Sequence, residues 1–423
     1  MKNIKKMLFA SITWVLVCSC TTKNDADFDR QMSELLANKN YFHLRENLAQ
    51  AKNKLSKDRF WYYAAHCEQV FGNGQLSNDY ADRLLTKFDK KLDESIKVEL
   101  LALKANNYIR DYQYKNAAEI YYILAAQDSA EAASYKNMSQ LFGSLRNVKQ
   151  QIIHNHDDTE ISAYRNQWKH LMTPVKCKGI DDEFIFDSGA NFSTITDSCA
   201  IKLGLNIINS DIKVGTATNT SVQSRLAVAD SLYVGGILFE NVVFLVMPAA
   251  AMTFPAINYA IHGIIGFPVL FQMGEFRMNS DGKIFVPKEP VDKHFNNMFL
   301  EGLNPVVRVF SKNDTLLLSF DTGANSSELS KKYYDKHKAE VEAEGKFETE
   351  KRGSANGIVE VSTYKLQNFP YIIGSKSNVL PQIDVMLDEY HFTKSLDGNL
   401  GQDIITQFNT LIMNFKYMYI DFE

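Results

Sequence analysis

The sequence predicts a multidomain chain: an array of α-helical hairpins followed by a bilobal all-β region with a few short helices. Three observations predict it. Residues 28 to about 150 contain no proline and repeat apolar positions at helical spacing. From Pro174 the texture changes to short β-type runs bounded by turn residues. Within that β-type region a single unit is spelled twice, which points to an internal duplication.

At 423 residues the chain is long enough for two or three domains, each with its own core. Its 45% apolar and 23% charged content is that of an ordinary globular protein. The formal charge is −4, or −7 once residues 1–19, with Lys2, Lys5 and Lys6 and no acids, are set aside. No basic tract or aromatic–basic alternation occurs, so no nucleic-acid partner is expected.

Lys2, Lys5 and Lys6 precede an apolar run, Met7 to Val17, too short for a spanning helix and shaped like a secretory signal. It closes on Leu16-Val17-Cys18-Ser19-Cys20, which resembles a bacterial lipobox, and the chain then turns polar at Thr21-Thr22-Lys23-Asn24-Asp25. The expectation is a signal peptide over 1–19 and a lipid-bearing Cys20 on a polar tether, 20–27. Such an anchor holds a protein on a membrane of the cell envelope, on its periplasmic or surface face, without a spanning helix. The plainer reading is an ordinary secretory peptide with an incidental cysteine.

The helical region is expected over 28–165. Leu35, Leu36, Tyr41, Leu44, Leu48 and Leu55 form one apolar stripe; Phe60, Tyr63, Ala64, Cys67 and Phe71 form another. Gly72-Asn73-Gly74 breaks the pattern, and turns are expected near Asn78, Asn106 and Asp111. Tyr112 to Ala126, with Ala117-Ala118-Glu119-Ile120-Tyr121, resembles the small-residue helix of a tetratricopeptide-type hairpin, although a ~34-residue period is not sustained. The resemblance implies a surface for a protein partner; the plainer reading is that the aromatic positions are core.

The repeated unit opens with Phe184-Ile185-Phe186-Asp187-Ser188-Gly189-Ala190-Asn191, which returns as Leu317-Leu318-Ser319-Phe320-Asp321-Thr322-Gly323-Ala324-Asn325. A lone Asp-Ser/Thr-Gly arises by chance at roughly one position in 2000 and would mean little. Here each copy also closes on a glycine. Ile264-Ile265-Gly266 ends 79 residues after Asp187, and Asn399-Leu400-Gly401 ends 80 after Asp321.

These residues resemble the two lobes of an aspartic protease, and Ala190 and Ala324 match its retropepsin branch. Gly401-Gln402-Asp403-Ile404-Ile405-Thr406-Gln407-Phe408 is similar to the segment closing a retropepsin lobe; Gly266-Phe267-Pro268-Val269-Leu270-Phe271 departs from it by lacking the acid. The resemblance spans Thr173 to the C-terminus. It implies a first lobe over 170–287, a connection over 288–304 and a second lobe over 305–423. Asp187 and Asp321 are then a catalytic dyad, supported by Ser188, Gly189, Ala190, Thr322, Gly323 and Ala324. Ile264, Ile265, Gly266, Leu400 and Gly401 pass behind it. A peptide or protein is the implied substrate, and one chain supplies both acids, so a monomer suffices.

Within each lobe the order is hairpin, acid, short helix, second hairpin. Val175–Lys176 and Phe184–Phe186 deliver Asp187, and Val306–Phe310 and Leu316–Phe320 deliver Asp321. Helices are expected over Asp197–Leu203 and Ser330–Glu344. The later hairpins, with Thr218 and Asn219 at one tip and Ser354, Asn356 and Gly357 at the other, fall where the family places its flaps. Ala190 and Ala324 stand where pepsin-like enzymes usually carry a hydroxyl; alanine cannot donate to the ionised acid, which implies a mildly acidic to near-neutral optimum. Cys177 and Cys199 flank the first motif and either pair or stay as buried thiols. His154 and His156 lie in a polar linker, no Cys/His cluster has metal-ligand spacing, and neither metal nor other cofactor is expected. The competing reading is a catalytically inactive lipoprotein that binds peptides or proteins through its helices and cleft.

Overall fold

The computed structural model describes residues 24–215, 221–354, 357–389 and 394–423. Seven helices open the described chain: α1 (Ala26–Ala37), α2 (Tyr41–Gln50), α3 (Lys57–Val70), α4 (Gly74–Lys87), α5 (Glu94–Arg110), α6 (Tyr114–Gln127) and α7 (Ala132–Ser144). Three pairs share one joint. Lys39, Gly72 and Tyr112 take the left-handed conformation, and the next amide reaches back to a carbonyl in the last turn: Asn40 to Leu35, Asn73 to Glu68 and Gln113 to Tyr108, each at 2.8 Å. This six-to-one bond caps a helix and reverses the chain. The joints are 33 and 40 residues apart, so no single period runs through the array.

Asn78 and Asn106, expected near turns, lie inside α4 and α5. Asn78 is buried and accepts a hydrogen bond from Asn107 Nδ2 at 2.8 Å, so its polarity serves an interior network rather than a loop. The two apolar stripes face inward, and Leu44, Leu55, Tyr63, Cys67 and Phe71 join a core that continues into the β region. Tyr41 and Phe42 pack edge-on against Phe299, with ring centres 5.0 and 5.9 Å apart.

Each lobe has the expected plan. In the first, Leu171–Cys177 pairs antiparallel with Ile180–Phe186, and Gly263–Ile265 runs parallel beside it, Ile264 opposite Ile185. In the second, Asn304–Ser311 pairs with Asp314–Phe320, and Gly398–Leu400 runs parallel, Asn399 opposite Ser319. The helices Asp197–Lys202 and Lys331–Glu344 lie where expected, capped by the hydroxyls of Thr196 and Ser330.

A third sheet, not foreseen, joins the lobes. Glu275–Asn279 and Thr410–Asn414 pair antiparallel with Arg277 opposite Ile412, and each begins nine residues after its closing glycine, Gly266 or Gly401. That symmetric register relates the lobes by a pseudo-twofold axis. Two boundaries also move. Ile152–Ile153, Thr159–Ile161 and Tyr164–Arg165, expected with the helices, are strands paired to the β region. Strands of two or three residues carry too few positions to show a period. Met298–Glu301, expected as connection, pairs with Asn304–Ser311 through a tight turn in which Gly302 takes φ +62°.

Candidate active site

Asp187 and Asp321 each follow the last residue of a strand. Their amides are tied to the parallel neighbour behind: Asp187 N donates to Ile265 O at 3.0 Å and Asp321 N to Leu400 O at 2.9 Å. The chain then folds around each carboxylate. Asp187 Oδ1 accepts from the amides of Gly189 and Ala190 at 2.8 and 3.1 Å, and Asp321 Oδ1 accepts from Gly323 and Ala324 at 2.7 and 3.2 Å.

The two motifs grip one another across the lobe interface. Ser188 Oγ donates to Phe320 O at 2.9 Å and accepts from Thr322 N at 3.0 Å. Reciprocally, Thr322 Oγ1 donates to Phe186 O and accepts from Ser188 N, both at 3.0 Å. Both side chains are buried. Serine on one side and threonine on the other make the same pair of bonds.

The glycines are required by close approach. A Cβ on Gly189 would lie 2.6 and 2.7 Å from the carboxylate oxygens of Asp321, and one on Gly323 would lie 2.5 and 2.7 Å from those of Asp187. Each acid therefore sits against the other lobe's glycine, and the carboxyls face each other. Burial is the largest cause raising Asp187 well above the ordinary carboxylate range, and the charge of Asp321 adds to it. Asp321 is also raised by burial, opposed by hydrogen bonds from Asp187 and from nearby amides. Both carboxyls are half-buried, and like charges this close disfavour the doubly ionised pair.

Ile265, Gly266, Leu400 and Gly401 lie buried behind the acids, with Ile264 half-buried. The sequence reading missed two hydroxyls that hold these segments. Gly266 N donates to Ser193 Oγ at 3.1 Å and Gly401 N to Ser327 Oγ at 2.9 Å. Both serines sit six residues after their aspartate, a spacing that aligning the two units exposes. Asp403 accepts from Ser327 N and Oγ at 2.9 and 2.6 Å. In the first lobe the residue two past Gly266 is Pro268, which offers no such acceptor. Asn399, which breaks the apolar pattern, accepts from Ser319 Oγ at 2.5 Å. The matching pair in the first lobe is Ile185 and Ile264, so an apolar pair has been exchanged whole for a polar one.

Of the expected flap residues, Thr218, Asn219 and Asn356 lie outside the described residues, as does Cys20. The hairpin strands are described as far as Gly215 opposite Ser221 and Ser354 opposite Gly357. Cys177 and Cys199 are free, buried thiols, and Cys199 Sγ donates to Asp182 Oδ2 at 3.5 Å. Among the described residues no cluster of His, Cys, Asp and Glu suits a metal, and no helix is long and apolar enough to cross a membrane.

Residues 173–269 match the aspartyl protease family. No curated protein matches the chain in sequence. In three dimensions it is similar to basic 7S globulin from soybean, at 8% identity and a TM-score of 0.40, covering 63% of this chain and 95% of that one. It is similar, too, to conglutin gamma, a basic 7S globulin from lupine seeds, at 8% identity and a TM-score of 0.40, covering 62% and 94%. With the motif of Asp187 inside the matched segment, this stretch of the chain is an aspartyl protease-like domain.

Proposed function

We propose that the protein is an aspartic endopeptidase in which Asp187 and Asp321 act as one dyad. The supporting observation is the reciprocal Ser188–Thr322 grip that sets the two carboxyls face to face. Amide hydrolysis needs a water made nucleophilic, a proton for the leaving nitrogen and a site closed to bulk solvent. The ionised acid takes a proton from a water between the carboxyls while the protonated acid donates to the substrate carbonyl. The water oxygen bonds to the carbonyl carbon, giving a tetrahedral diol. The acid left ionised then takes a proton from one diol hydroxyl as the C–N bond breaks, and the nitrogen leaves with the proton held by the other acid, so the dyad ends with one proton as it began.

In this proposal Cys20 carries a lipid, the protein sits at the cell envelope, the two hairpins form flaps over the cleft and the working unit is a monomer. The helical hairpins, taken as tetratricopeptide-like, would present a protein partner or substrate to the cleft. The test uses the chain without residues 1–20 on a mixed peptide library, with Asp187→Asn and Asp321→Asn alongside. The expected result is cleavage by the parent chain, inhibition by a statine-type transition-state mimic and loss in both variants. Peptide binding without cleavage by the parent chain would turn the cleft into a binding site. For the anchor, fatty-acid labelling of cells expressing the full chain should mark it and fail in Cys20→Ala.

A further inference from the structure

The two halves of the candidate site share one backbone frame and differ in a side chain behind it. Past each closing glycine an amide reaches the motif's alanine: Phe267 N donates to Ala190 O at 2.8 Å and Gln402 N to Ala324 O at 2.9 Å. Both side chains are buried. Phe267 packs its ring against Phe271 and Phe415, with centres 5.3 and 5.5 Å away. Gln402 instead turns its amide back to the motif, and Nε2 donates to Thr322 O. Gln402 Oε1 has no donor among the described residues. The Thr322 contact therefore fixes which end of the amide faces the carbonyl, since reversing it would set two oxygens together.

Thr322 O and Gly323 N belong to one peptide group, and Gly323 N donates to Asp321 Oδ1 at 2.7 Å. A donor on the oxygen of a peptide group polarises it and strengthens its N–H as a donor. Gln402 thereby favours the ionised form of Asp321. In the first lobe the peptide joining Ser188 and Gly189 serves Asp187 in the same way, but Phe267, in the place of Gln402, has no proton to donate. Asp187 is the charged group facing Asp321 from the other lobe. Asp403, on the segment behind, is spent on Ser327 N and Oγ and on Ile404 N. Burial raises both acids, while the hydrogen bond between them raises Asp187 and lowers Asp321.

We infer that Gln402 is a positioning residue that gives the dyad its direction: with one proton on the pair, Asp187 holds it and Asp321 is ionised. The inference deepens the proposed function and rests on it. In the first step Asp321 takes a proton from the water as the water oxygen bonds to the carbonyl carbon, and Asp187 gives its proton to the carbonyl oxygen. In the second, Asp187 recovers a proton from a diol hydroxyl, and the leaving nitrogen takes the proton now on Asp321. The pair returns to its starting state, so one fixed asymmetry serves every turnover.

Neutron diffraction from crystals of the deuterated full chain, grown in detergent at mildly acidic pH, locates the proton whether or not the protein cleaves a peptide. The pH profile of kcat/KM for Gln402→Met is measured beside the parent's. The expected map has deuterium on Asp187 and none on Asp321, with a Gln402 deuteron aimed at Thr322 O. Without that donor the ionised form of Asp321 is less favoured, so the variant's acidic limb should move up by about half a pH unit, with KM within about twofold of the parent. A merely structural role would lower the rate and leave the limb in place. Deuterium on Asp321, or a variant whose acidic limb does not move, overturns the inference. If the parent cleaves nothing, the proposed function fails and the map alone decides where the proton sits. The map also decides alone should the variant fail to fold.

Discussion

Replacing Thr322 by valine keeps the shape of a buried side chain and deletes its hydroxyl. That hydroxyl accepts from Ser188 N and donates to Phe186 O, both at 3.0 Å across the lobe interface. Valine offers neither function, and Thr322 is only 1% exposed, so water cannot easily substitute. Each buried polar group left unpaired costs about 1–3 kcal/mol, or about 2–6 kcal/mol for the two. At roughly 2–4 °C per kcal/mol, the unfolding midpoint should fall by about 5–20 °C. Thr322→Ser retains the hydroxyl and should stay within about 1 kcal/mol of the parent, since Ser188 makes the equivalent bonds with no methyl. Differential scanning calorimetry of the three proteins reads this directly. A valine variant that melts within about 2 °C of the parent would refute the claim that these bonds fasten the lobes.

Four further outcomes are expected. Gly323→Ala brings a methyl to 2.5 Å from an Asp187 oxygen where ordinary contact begins near 3.4 Å, so the carboxyl must shift by nearly 1 Å; peptide turnover should drop about 100-fold, and a loss below about threefold would contradict the packing. Asp187 has a folded pKa raised above its unfolded value, so its contribution to stability is full below about pH 3.9 and is lost as pH rises through the folded value; Asp187→Asn should match the parent near pH 3.5 and melt higher at pH 8, and equal midpoints at pH 8 would count against a shared proton. The same raised dyad, without hydroxyls at Ala190 and Ala324, should give a rate maximum at mildly acidic to near-neutral pH, and a maximum below about pH 3 would oppose it. Asn399→Ile alone removes the nearer acceptor of the buried Ser319 hydroxyl, leaving Gly398 O at 3.3 Å, and should cost about 1 kcal/mol, whereas adding Ser319→Ile recreates the first lobe's pair and should recover most of it in urea unfolding.

Much of the fold was legible because the informative residues recur. The doubled Asp-Ser/Thr-Gly-Ala-Asn, each with a closing glycine about 80 residues on, marks two units whose acids meet in the fold. The helices were readable from long apolar spacing uninterrupted by proline. What stayed hidden depends on pairing between distant segments. Glu275–Asn279 and Thr410–Asn414 are ordinary five-residue runs whose role appears only when one lies against the other. Ser193 and Ser327 are small hydroxyls whose work is to accept from an amide 73 or 74 residues away. Asn78 was polar enough to suggest a turn because a sequence does not distinguish a solvated amide from one satisfied inside a helical interface.

The central claim is that Asp187 and Asp321 act as a single chemical unit. The most direct measurement is kcat/KM on one cleaved peptide for Asp187→Asn, Asp321→Asn and the double variant. Groups that act together are non-additive, so each single variant should fall to the background and the double should fall no further. A single variant that keeps appreciable turnover, or losses that multiply in the double, would contradict the account.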